Sequence, residues 1–241
     1  MKGTERHKLK ENELSHVLED ATARLRQNRS TVGLVAGLAA LVLVAVIGYW
    51  AWTTRSATRA QTLLGDAIVI MQAPVEEAKP GAKPGVTGYP TVQARAEAAL
   101  AKFGEVYNAY PSTDAGIAAR YYAASALGML GRHEEAAARF QETIDRAGSN
   151  SFYGRMARLG VVETHAQAKK FDQAISAAQA LVNNTADDTI PRDALLMELG
   201  RVQAAAGKKA DAKQTLDKVI ADFPDSPYIE EAKRMLAEVT S

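Results

Sequence analysis

Three alanines spaced thirty-eight residues apart, Ala136, Ala174 and Ala212, set the period on which most of this chain is built. Each stands in a similar phrase: Gly131-Arg132-His133-Glu134-Glu135-Ala136, Lys170-Phe171-Asp172-Gln173-Ala174 and Gly207-Lys208-Lys209-Ala210-Asp211-Ala212. Ala99 lies thirty-seven residues before the first, and four residues after each alanine comes Phe103, Phe140, Ala178 or Leu216. A small residue lets two helix backbones approach, and the residue one turn later fills the space beside it. A period of this length, made of helix pairs, indicates a solenoid, because each hairpin leaves an apolar face that only the next can cover.

The intervening sequence supports that reading. From residue 91 onward apolar residues recur at helical spacing, Gly, Pro, Asn and Asp interrupt them, and no long stretch alternates with period two. Helices are expected near 91–109, 114–130, 133–147, 151–168, 171–184, 190–206, 209–222 and 226–239. The fold class is therefore all-α, with short breaks that imply antiparallel hairpins. Tyr110-Pro111-Ser112 and Phe223-Pro224-Asp225-Ser226 are expected to end one helix and cap the next. The last helix closes the array in this reading, with Tyr228, Ile229, Met235, Leu236 and Val239 inward and Glu230, Glu231, Lys233 and Arg234 outward.

A different constraint acts on residues 31–54. No charge falls between Arg29 and Arg55, and the run is long enough for the roughly 20 apolar residues a membrane-crossing helix needs. Arg24, Arg26 and Arg29 flank one end, and Tyr49, Trp50 and Trp52 gather at the other, which is headgroup chemistry. The run exceeds a signal-peptide core and lacks a small-residue cleavage pattern, so it reads as an uncleaved signal anchor. Beside the run Arg24, Arg26 and Arg29 of the leader, residues 1–30, outnumber Arg55 and Arg59, and Lys2, Arg6, Lys8 and Lys10 add to the excess, which predicts a cytoplasmic leader and a periplasmic large domain. Within the leader, Leu14, Val17, Leu18, Ala21 and Leu25 lie at helical spacing after Asn12, and Asp20 with Arg24 forms an i,i+4 pair. Gly33 and Gly37 form a G-x-x-x-G step on which another membrane helix can pack, so self-association is open. Residues 55–90 read as a juxtamembrane helix, with Leu63, Leu64, Ala67, Ile68 and Met71 on one side, and then a Pro/Gly linker. Residues 91–241 form the repeat domain.

Chemistry is sparse. The soluble remainder carries twenty-two basic and twenty-three acidic residues, which recruits no nucleic acid. Cysteine is absent, so disulfides and thiolate nucleophiles are excluded. The four histidines, His7, His16, His133 and His165, never pair at i+3 or i+4, and no H-E-x-x-H, G-x-S-x-G or G-x-x-x-x-G-K-[ST] occurs. Ser149-Asn150-Ser151 sits at a helix start, where capping explains it. Glu134-Glu135, Asp187-Asp188 and Glu230-Glu231 fall in first turns or breaks, where the helix dipole favours them. The expectation is a protein that is not an enzyme and binds no cofactor, metal or small-molecule substrate.

The repeat resembles tetratricopeptide repeats, which carry a Leu-Gly in the first helix, a Gly at the turn, then Ala, a large apolar residue and a terminal Pro. The third unit matches with Leu199-Gly200, Gly207, Ala212, Leu216 and Pro224, and the first keeps Leu127, Gly131, Ala136, Phe140 and Ile144. The second has Leu159-Gly160 displaced by about two positions and Lys169 where the turn Gly belongs. In such arrays the first helix of each pair usually lines the concave face. Matched residue by residue, this implies a partner-binding groove of Tyr121, Ser125 and Met129, then Met156, Leu159 and Glu163, then Met197 and Arg201. Arg201 alone there could grip a carboxylate; thioethers and rings suit extended apolar segments. The whole layout also resembles the YfgM-like family of ancillary SecYEG translocon subunits, anchored in the bacterial inner membrane. That resemblance implies protein partners: translocon subunits, a membrane-anchored periplasmic chaperone, or extended client segments. An envelope-assembly or cell-wall scaffold, or a self-associating anchor, has the same architecture.

Overall fold

The computed structural model describes residues 29–75, 88–148, 151–184 and 189–241. The leader helix expected after Asn12, the centre of the Pro/Gly segment, Ser149, Asn150 and the Asp187-Asp188 pair lie outside the described residues. The chain divides into two units, Met1–Arg55 and Ser56–Ser241.

The described part of the first unit is the start of α1, Arg29–Gln72. Its apolar side chains are bare: Leu34, Leu41, Val44, Trp50 and Trp52 are each more than half exposed. This helix is long and apolar enough to cross a membrane, and no residue of its most apolar window is buried against protein. In water such exposure would be costly, at roughly 25 cal/mol per Å² of apolar surface. A hydrocarbon surround removes that cost.

In the second unit, α1 runs on to Gln72 and is followed by α2 Val92–Ala109, α3 Asp114–Met129, α4 His133–Ala147 and α5 Phe152–Gln167, then α6 Phe171–Asn183, α7 Arg192–Ala205, α8 Lys209–Asp222 and α9 Ile229–Thr240. From α2 to α9 every consecutive pair packs together, and α3 also meets α5, as α7 meets α9. Helix bounds match the sequence expectation closely because the breaks are chemical. Thr91, Thr113 and Ser151 cap α2, α3 and α5 by accepting from the backbone N–H three residues on. The cap on α3 is thus Thr113 rather than Ser112. Ser226 is not a side-chain cap on α9, which starts three residues later; its hydroxyl donates to Asp193 at 2.6 Å.

The core of the second unit extends upstream of residue 91. Ala60, Leu64 and Ala67 of α1 are buried in the same core as Ala99, Phe103 and Val106 of α2 and Ala115 to Ala123 of α3. The compact unit begins at Ser56, so the juxtamembrane helix joins the body on which the repeats are built. The C-terminal part of α1 thus packs in one core with α2 and α3. Two contacts tie the chain just after it to the start of α2: Tyr89 N–H donates to Pro74 O, and the Arg95 guanidinium to Ala73 O, each at 2.9 Å.

The period is a packing period. Ala99, Ala136, Ala174 and Ala212 are each fully buried, and Phe103, Phe140, Ala178 and Leu216 at most 5 % exposed. The turn inside each later hairpin is built three times over. Arg132, Lys170 and Lys208 donate their N–H to Leu127, His165 and Gln203, five residues back, and Gly131, Lys169 and Gly207 to Gly128, Ala166 and Ala204. This paired closure needs a left-handed residue, and Gly131, Lys169 and Gly207 have φ of 71°, 58° and 72°. Lys169 therefore occupies the glycine position at a steric cost, and the second repeat keeps the register of the others.

Gly160 plays a different part from Gly200. A Cβ on Gly200 would meet Leu216 of its own hairpin, whereas one on Gly160 would stand 2.5–2.7 Å from the Phe140 ring of the preceding hairpin. The displaced Leu-Gly thus serves the junction between repeats. Val162, fully buried, takes the crossing that Gly200 takes in the third.

Candidate protein-binding surface

The first helices α3, α5 and α7 bring forward side chains in strict register: Tyr121, Leu159 and Met197 at one level, Ser125, Glu163 and Arg201 at the next. Their environments differ. Tyr121 and Ser125 are half-buried, Met129 is 52 % exposed, Met156 and Leu159 are half-buried, and Glu163 is exposed. Met197 is fully buried. Its expected place in a groove is corrected: α9 packs over α7, and Met197 joins a core with Leu195, Val202, Leu216 and Ala232.

Arg201 is half-exposed but already paired. Its Nε and Nη2 donate to both oxygens of Glu231 on α9, at 3.0 and 2.9 Å, and Nη1 reaches Glu198 at 3.4 Å. Glu231 raises the guanidinium pKa, and in return that bond holds the Glu231 carboxyl below its ordinary range. The arginine does grip a carboxylate, but the protein's own. At the α7 level Met197 is covered and Arg201 is occupied by Glu231.

The α3–α5 level is open and aromatic. Tyr121 lies 5.4 Å from Tyr122, 5.6 Å from Phe140 and 5.7 Å from Tyr153, centroid to centroid. Tyr122 stacks on Phe103 at 5.5 Å, and Phe152 sets its edge to Tyr153 at 5.2 Å. Aromatic pairs in offset or edge-on geometry contribute about 0.5–1.5 kcal/mol each beyond burial, and Tyr121–Tyr122 and Phe152–Tyr153 are edge-on. Burial pushes the Tyr121 phenol up; nearby Ser125 opposes it, while Tyr122 and Glu163 add to it. Tyr153 is raised likewise, first by burial, and both phenols are neutral hydrogen-bonding groups near neutral pH. At the edge of the cluster Phe152 is 62 % exposed. An exposed ring beside half-buried tyrosines is the composition of an interface centre.

Residues 90–231, more than half of the chain, match the family model described as a tetratricopeptide repeat-like domain. The chain belongs to the tetratricopeptide repeat-like domain family. Among solved structures, its fold is similar to the "putative kinesin light chain nearly identical TPR-like repeats" of Podosopora anserina. The TM-score is 0.56 and the identity 15 %, over 76 % of this chain and 86 % of that one. A glutamine-to-methionine variant of the same repeats gives the same score and identity, over 85 % of its length. No curated protein sequence matches the chain.

Domains of the tetratricopeptide repeat-like family are in general scaffolds for protein interaction, and this one is all-helical with its interaction-type side chains on the first helices of two adjacent hairpins. Sequence reasoning missed Tyr122, Phe152 and Tyr153. The Tyr121-Tyr122 and Phe152-Tyr153 dipeptides were the available signal, because two neighbouring rings on a helix cannot both face its core stripe. Gly33 and Gly37 lie in the first unit, and a Cβ added to either would meet no atom within 4 Å.

Proposed function

We propose that this protein is a single-pass, membrane-anchored adaptor whose α3–α5 surface holds other proteins near the membrane. The observation that carries the reading is the open aromatic patch of Tyr121, Tyr153 and Phe152, with Met129 and Met156 on the same two helices, in a tetratricopeptide repeat-like domain that comes after a membrane-length apolar helix. Rigid rings supply contact area at low entropic cost, and the flexible thioethers adapt to varied apolar segments. No covalent chemistry is needed for such a role.

The finer reading rests on the YfgM-like layout. The leader is cytoplasmic, the repeats are periplasmic, and the partners are translocon subunits, a membrane-anchored chaperone or emerging clients. Affinity purification of the full chain from solubilised membranes tests it. Recovery of translocon subunits supports the finer reading; recovery of envelope-assembly factors alone, or of the protein itself alone through Gly33 and Gly37, replaces it. A cysteine introduced at Ser241 tests the orientation, since labelling only after the cytoplasm is opened contradicts a periplasmic domain.

A further inference from the structure

A second site lies away from this surface, where the second helices of neighbouring hairpins face each other, and the molecule contains its own template for the ligand. Between α2, α3 and α4 that position is filled. Arg120 is 4 % exposed, its guanidinium lies 5.1 Å from the centroid of the Tyr107 ring, and Arg139 lies 4.7 Å from the same ring. Glu142 supplies the countercharge, 3.6 Å from Arg120 Nε and 2.6 Å from Arg139. Arginine, carboxylate and apolar plane together fill the cleft.

Thirty-eight residues later the arginine recurs as Arg158, but its neighbours do not. Ala177 stands for Arg139, Ala180 for Glu142, and Ile144, thirty-seven residues on, for Tyr107. The result is an open cleft of about 600 Å³ between α4, α5 and α6, floored by Ile144, Val161, Ala177, Ala180 and Leu181 with Arg158 in its wall. Among the described residues Arg158 makes no hydrogen bond or ion pair, although it is half-buried. Asn184 and Gln141 stand in the same lining, and Asp145, an acid on the α4 side, is already held by Gln141 Nε2 at 2.9 Å. The volume falls within the range of ligand pockets, roughly 300–1,000 Å³.

We infer that this cleft binds a partner polypeptide segment presenting a glutamate or aspartate side chain next to an apolar one. The carboxylate supplies the countercharge to Arg158 that Glu142 supplies to Arg120, here free to hydrogen-bond the guanidinium because no second arginine competes for it, and the apolar side chain covers the alanine floor that replaces Arg139 and Glu142. A guanidinium prefers a bidentate carboxylate, and a half-buried unpaired one gains most from it. The occupant is peptide because Asn184 offers an amide donor and acceptor that match a backbone. This site does not depend on the α3–α5 surface, and the two fail separately: loss of membrane partners leaves peptide binding intact, and the reverse.

The test is fluorescence anisotropy on the full chain in nanodiscs, at about 150 mM salt, with the labelled peptide acetyl-Gly-Ser-Leu-Glu-Leu-Ser-Gly-amide. Saturable binding is expected, weakened at least tenfold when the peptide glutamate becomes glutamine. Arg158→Gln should weaken it similarly. Ala180→Glu, which restores the internal carboxylate of the first cleft, should do the same while leaving the circular-dichroism melt unchanged or raised. If Arg158→Gln fails to fold, the peptide pair and Ala180→Glu still decide. Equal binding of both peptides, no binding of either, unaltered binding by Ala180→Glu, or binding only to a peptide with a free C-terminal carboxylate would each overturn the inference.

Discussion

Tyr121 and Met197 occupy the same level of the repeat, seventy-six residues apart, yet one reaches the surface within an aromatic patch and the other is sealed in the core. The difference lies in the helix packed on top of each. After α7 and α8 comes α9, whose Tyr228, Met235, Leu236 and Val239 pack on the last hairpin and whose Glu231 occupies Arg201. The first helices α3 and α5 meet each other but leave Met129 and Phe152 uncovered. A solenoid needs its end closed, and closing it consumes the binding positions of the final unit. On the proposed reading the array is thus divided into an interaction half at α3–α5 and a stability half at α7–α9.

Removing α9 breaks the comparison most severely. Deletion of residues 226–241 uncovers Met197 and the Arg201 level, and should lower the melting temperature by roughly 10 °C, since about 1 kcal/mol corresponds to 2–4 °C at this size. Scanning calorimetry of the full chain and the truncation reads it; an unchanged melt would mean that α9 does not cap. Next in size, Met197→Ala should cost about 2–5 kcal/mol, as truncations of buried side chains do. Phe152→Ala, at an exposed ring, should stay within about 0.5 kcal/mol. Urea unfolding of the two variants should separate them clearly, and similar costs would erase the division.

Smaller effects probe the turns. Lys169→Gly should stabilise by about 1 kcal/mol, because a left-handed lysine carries a steric penalty that glycine lacks. Gly207→Ala should move stability the other way by a similar amount. The least is a pH effect at the junction of the first and second repeats. Burial, and then Lys170, hold the His165 pKa below its ordinary 6.5. His133 and His165 share a cavity of about 210 Å³ with Glu134, Ala137 and Lys170. At the equivalent junction Phe171, Ile175 and Gln203 stand in place of His133, Ala137 and His165. The folded state binds its proton less readily than the unfolded chain, so stability is full above about pH 6.5 and falls as pH drops toward the lowered value. His165→Gln should flatten that dependence in urea titrations at successive pH values; an unchanged slope would remove His165 as the cause.

Much of this was legible in the sequence for a local reason. Breaks, caps and the alanine period act within a hairpin, so the helix bounds and the placing of Ala136, Phe140 and Leu216 needed no knowledge of the rest of the chain. Features that depend on distant partners were not legible. Met197 reads like a groove residue until α9 covers it, and Arg201 like a free cation until Glu231, thirty residues on, takes it up. The core contribution of α1 was obscured because prolines and glycines between Pro74 and Pro90 have the composition of a linker, although Ala60, Leu64 and Ala67 on its near side are buried with Ala99 and Phe103 of α2. The two aromatic dipeptides were visible, but which ring faces outward is decided by packing.

The most direct test of the divided array is a photoreactive phenylalanine analogue placed singly at Tyr121, Phe152 and Arg201 in the full chain, crosslinked in native membranes. Adducts with the same distinct protein are expected from positions 121 and 152, and none from 201. Adducts from 201 alone, or only self-adducts from 121 and 152, would contradict the division.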